Sequence, residues 1–165
     1  MSRTAPLVLA ALVVAAVAIV AGTSSSLPET VATHFGSGGR ANGFMTRTGY
    51  QLFYCSFIVF MTVVVYVATT WLPTRHPTLI NVPNRAYWLD PARRDAALRA
   101  IRTFGVALAI ALVVLLVAIH LLILEAHERT PATLAEGTFF GVLGGFVGVL
   151  AVLIALLVVR FRAPG

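Results

Sequence analysis

The chain has 165 residues, 59% hydrophobic and only 11% charged, which leaves too little polar surface to clothe a soluble globule and argues against a water-soluble enzyme. The formal charge of +6 comes from 12 basic residues, all arginine, against 6 acidic ones. A single cysteine, Cys55, excludes an internal disulfide.

Charged side chains are missing from four stretches: between Arg3 and Glu29, Arg47 and Arg75, Arg102 and Glu125, and Glu136 and Arg160. Each can hold one membrane helix, because a hydrocarbon core roughly 30 Å thick takes about 20 apolar residues and backbone polar groups must be bonded within the segment. The spacing predicts helices over about 5–25, 50–72, 91–124 and 137–160, in one membrane domain covering 1–165. The first block is the shortest, with an unbroken apolar run of 15 residues, Leu7 to Ala21. It also reads as a signal peptide, but its basic region holds only Arg3, and an uncleaved anchor is the preferred reading.

The loop from Leu27 to Gly49 contains Pro28, Glu29, His34, Phe35, Arg40, Asn42 and several glycines. It is expected to fold as a lid with tight turns, glycines supplying positive φ angles and Asn42-Gly43 marking a turn. Gly36, Gly38 and Ala41 match a G-x-G-x-x-A dinucleotide pattern, but no buried strand is expected before them and no capped helix after, so cofactor binding is rejected.

In the middle loop, Asp90-Pro91 is expected to open an amphipathic helix with Ala97, Leu98, Ile101 and Phe104 on one face and Arg93, Asp95, Arg99 and Arg102 on the other. This segment either lies on the membrane surface or runs into the third span. Tyr87 and Trp88 are expected at the interface. A nucleic-acid partner is not expected, since no recognition motif accompanies the arginines. The last span carries Gly137, Gly141, Gly144, Gly145 and Gly148 on one helical face. That face is expected to pack inside the bundle, or otherwise against a membrane-protein partner or a second copy.

Arg3, the six arginines of the middle loop (Arg75, Arg85, Arg93, Arg94, Arg99 and Arg102), Arg160 and Arg162 make nine on one side, against Arg40, Arg47 and Arg129. The positive-inside rule then places both termini and the middle loop in the cytoplasm and the lid outside.

No Asp, Glu, Lys or Arg lies inside a span, so paired-carboxylate chemistry and proton relays lack their usual parts and no enzyme activity or cofactor is expected. His34, His120 and His127 fall on the lid side and are weak metal candidates. His120 and His127 share a face but stand about 10 Å apart along a helix, too far for one ion. The preferred reading is a polar contact between His34 and His120, which lies near the end of its span.

The run Pro28-Glu29-Thr30-Val31-Ala32-Thr33-His34-Phe35, with Gly39, Asn42-Gly43-Phe44 and Arg47, resembles a widespread bacterial membrane domain of unknown function, the family numbered 1648, which is shared with SdpI-like immunity proteins. The likeness extends to Asn81-Val82-Pro83-Asn84-Arg85, Tyr87-Trp88-Leu89 and His120. Ala32, Gly36, Arg47 and His127 depart from the family pattern. The resemblance implies a module of the bacterial inner membrane, in envelope stress or immunity. Together these readings give an all-α integral membrane protein: a bundle of four transmembrane helices with a short ordered outer loop and a cytoplasmic amphipathic helix. The expected ligand site is the lid, with Glu29, His34, Phe35, Arg40, Asn42 and His120. A small transporter or metal-handling protein, and an accessory subunit of a membrane complex, are the competing readings.

Overall fold

The computed structural model describes residues 4–162; Arg3, one of the nine arginines above, lies outside them. Four helices are long and apolar enough to cross a membrane: Thr4–Ser26, Arg47–Arg75, Arg94–His127 and Glu136–Arg160. The chain is thus an all-α membrane protein.

Helix α1 (Thr4–Thr23) leads through a short 3-10 turn to a two-stranded antiparallel hairpin, β1 (Thr30–Phe35) and β2 (Ala41–Thr46). Helix α2 (Arg47–Tyr66) starts directly at the end of β2, where the Thr46 hydroxyl accepts the N–H of Gly49. This is an ordinary N-cap, which occupies one of the free donors of the first turn. Pro73 has no N–H for the carbonyl of Thr69, and the preceding turn widens into a π segment, Val67–Trp71, before α3 (Leu72–Arg75).

The middle loop contributes α4 (Arg85–Trp88), and the third span is one unbroken helix, α5 (Arg94–His127). Asp90 does not cap α5 directly. Its carboxylate accepts the N–H of Ala92 and its carbonyl those of Arg93 and Arg94, which closes a turn just ahead of the helix. Ala97, Leu98 and Ile101 are buried while Asp95 and Arg99 are exposed, so the amphipathic segment runs straight into the span. Trp88 is buried against Phe161, donating from Nε1 to the Phe161 carbonyl at 2.9 Å, with the Arg160 guanidinium 4.6 Å above its ring. Asn84 donates to the same carbonyl at 3.1 Å. The middle loop thereby holds the end of α6 (Glu136–Arg160).

The core is built by α1, α2 and α5, where Ala16, Val20, Tyr50, Tyr54, Ile58, Val113 and Leu116 pack together. Lipid is as apolar as these side chains, so close packing and polar bonds, more than hydrophobic burial, hold such helices together. The Tyr54 hydroxyl supplies one bond, donating to the Leu116 carbonyl at 2.7 Å.

Helix α6 leans on α5 and has no buried residue. This corrects the expected packing of the glycine face within the bundle: a Cβ placed at Gly137, Gly141, Gly144, Gly145 or Gly148 would meet nothing within 4 Å. Three helices already satisfy one another's inner faces, leaving the fourth at the periphery.

Candidate functional site: the lid and the chamber beneath it

Thr23, at the end of α1, donates its hydroxyl proton to the Ile19 carbonyl at 2.7 Å, so its oxygen is left to accept from His120 Nε2 at 2.7 Å. His120 Nδ1 is then an acceptor, and the Tyr50 hydroxyl donates to it at 2.7 Å. The polar chain runs in one direction, from Tyr50 through a neutral imidazole to Thr23 and the α1 backbone. His120 is fully buried, and its ring stacks on Tyr50 and tilts against Tyr54. An imidazole at the hydrocarbon edge needs partners, and the helices themselves supply both.

The expected pairing of His34 with His120 is therefore replaced by Tyr50 and Thr23. His34 is exposed on β1, opposite Gly43. A Cβ at Gly43 would come within 2.8 Å of the His34 Cβ, so glycine there lets the imidazole sit close over the partner strand.

The lid is a hairpin, contrary to the expected set of turns. Asn42-Gly43 lies within β2, and the reversal falls at Gly36–Arg40, with Gly38 and Gly39 at positive φ. A strand does precede the G-x-G-x-x-A pattern, but a second strand follows it in place of a helix, so the phosphate-binding helix N-terminus is missing.

Long-range bonds fix this hairpin over the ends of α5 and α6. Gly38 N–H donates to Glu136 Oε1 at 2.8 Å, Leu134 N–H donates to the Gly39 carbonyl at 2.9 Å, and Arg40 bridges Thr133. Gly39 has no room for a side chain, because a Cβ would run into the Leu134 carbonyl. On the other flank His127 donates from Nδ1 to the Ile123 carbonyl at 2.7 Å and accepts the Ala32 N–H on Nε2 at 3.0 Å. Arg47 closes the base, its guanidinium donating to the Leu27 carbonyl at 2.9 Å and its N–H to that of Glu29 at 2.9 Å.

Between the hairpin and the ends of α5 and α6 lies a chamber of about 540 Å³, bounded by His34, Phe35, Leu134, Glu136, Phe139 and Phe140. Of the six residues expected to form the lid site, His34 and Phe35 line it. Glu29, Arg40 and Asn42 are exposed elsewhere on the hairpin, and Arg40 borders a separate cleft with Phe44 and Thr133. The weak metal candidates do not converge: His120 and His127 use both ring nitrogens on protein groups. Among the described residues no three of His, Cys, Asp and Glu are grouped to hold an ion.

Sequence reading missed Thr23, Tyr50, Gly39, Arg47 and Glu136 as parts of the site. Tyr50 and Tyr54, four residues apart in an apolar span, carried a usable signal, since buried hydroxyls need partners. Gly39 stood out only within the family signature and Glu136 carried no signal, because their partners lie about a hundred residues away.

The hairpin with its flanking helices is also where the chain matches a known family. The model for a domain of unknown function (DUF1648) matches residues 9–55. That stretch takes in most of α1, the whole hairpin and the first part of α2, and stops before the middle loop and His120. Comparison with curated proteins and with solved structures returned no match.

Proposed function

We propose that this chain is a non-enzymatic membrane module that receives a ligand beneath its lid. The observation that supports this reading is the chamber itself: a largely apolar hollow with His34 and Glu136 at its polar side, roofed by a hairpin anchored at Gly38, Gly39 and Ala32. Ligand sites typically combine an apolar lining with a few placed polar groups. Native mass spectrometry of the protein released from its own membranes in mild detergent tests it. A bound small molecule should be lost when Ser37→Trp fills the chamber from its rim; an unliganded wild-type protein refutes the reading.

The module belongs, on this proposal, in a bacterial cytoplasmic membrane, with both termini cytoplasmic, the lid outside, and a role in envelope stress or SdpI-like immunity. The arginine distribution supports the orientation, and the role rests on the likeness of the Pro28–Phe35 run to the family shared with SdpI-like proteins. In a Cys55→Ser background, a cysteine at the exposed Ser37 should react with an impermeant reagent from outside, and one at the exposed Ala92 only after permeabilisation. The reverse pattern refutes this orientation.

A further inference from the structure

The chamber does not end the space between α5 and α6. A second, almost wholly apolar groove of about 610 Å³ opens between the same two helices, and among the described residues Glu136 is the only Asp, Glu, Lys or Arg lining either space. Ala107, Ala111, Leu115, Ala118 and Leu122 recur at intervals of three and four along α5, one helical face shared by groove and chamber. Phe139, Val142, Phe146, Val149 and Leu153 do the same along α6. The two spaces therefore lie end to end on one seam. From Glu136 to Leu153 the seam is about 25 Å long at ~1.5 Å per residue, whereas one leaflet of a hydrocarbon core roughly 30 Å thick offers about 15 Å.

We propose that this seam binds one long-chain amphiphile whose head is an uncharged or cationic hydrogen-bond donor. It rests on the ligand-binding reading above and names the ligand class. The hydrocarbon chain lies along α5 and α6 past the middle of α6, where alanines on α5 keep the groove open. The head sits under the hairpin beside Glu136. One carboxylate oxygen of Glu136 accepts from Gly38, and the other remains to accept from a hydroxyl or ammonium head. An anionic head would stand at contact distance from that exposed carboxylate, where like charges repel. This separates the proposed ligand from the anionic phospholipids of the bilayer.

The test uses the full chain in phosphatidylcholine nanodiscs and two photoreactive probes with the same long chain, one an amine and one a carboxylate. The amine probe should crosslink to α5 and α6 along Ala107–Leu115 and Phe146–Leu153, several-fold more than the carboxylate. Glu136→Gln should erase that preference while sparing the lid, since the amide oxygen still accepts from Gly38. Ala111→Phe should reduce crosslinking of both probes. Equal labelling by the two probes in the wild type, or labelling at the outward residues Leu52 and Phe60 of α2 as strong as at the seam, overturns the proposal. If a native ligand is still lost on Ser37→Trp, only the ligand class falls; if no native ligand is found, the lid-chamber reading falls with it.

Discussion

His120 Nδ1 and the Tyr50 hydroxyl lie 2.7 Å apart in the buried lid end of the bundle, joining the third span to the second at the level where Thr23 ends the first. Tyr50→Phe keeps the ring and deletes the donor, leaving Nδ1 buried without a partner. A lone buried acceptor costs about 1–3 kcal/mol, so thermal unfolding in detergent should shift down. His34→Ala, at an exposed site, should stay within about 0.5 kcal/mol of wild type. Equal melting of Tyr50→Phe and wild type would show that this bond holds nothing together.

Gly39 and Gly38 both have positive φ, yet only Gly39 abuts Leu134. Gly39→Ala combines backbone strain of about 1–2 kcal/mol with a collision that breaks the hairpin's attachment. Gly38→Asn, with open space around it and a residue type that tolerates this conformation, should be mild. Limited proteolysis should cut the hairpin much faster in the first variant than in the second.

His127→Leu removes the acceptor for the Ala32 N–H while keeping an apolar side chain of similar reach. Hydrogen exchange at Ala32 should accelerate by about tenfold or more, corresponding to a loss of roughly 1.5 kcal/mol or more at a buried donor. Unchanged exchange would mean that strand pairing alone protects the amide.

Gly141→Ala places a methyl group in open space on α6. Alanine favours helix over glycine by about 1 kcal/mol, so the melting temperature should be kept or raised. A lower melting temperature together with a loss of oligomeric mass would show that a second copy covers this face.

The spans were legible because the gaps between charges match the thickness of a bilayer, and His120 stood out as a polar group in an apolar run. The hairpin was only half visible. Thr30–Phe35 is rich in β-branched residues, but the crowd of glycines after it drew the turn to Asn42-Gly43, when the reversal is set by Gly38 and Gly39 under contact with Leu134. Glycine spacing on α6 fixes a face without naming a neighbour, so packing within the bundle did not follow from it. The partner of His120 was misassigned for a related reason: the lid histidine was near in sequence logic, whereas helix packing brought Tyr50 closer.

The lid chamber as a ligand site is tested most directly by an experimental density map of the protein in nanodiscs formed from its own membranes. The account predicts continuous non-protein density under the hairpin, its polar end beside Glu136 and its length following α5 and α6. A chamber filled by inward rotation of Phe139 and Phe140, with no additional density, would contradict it.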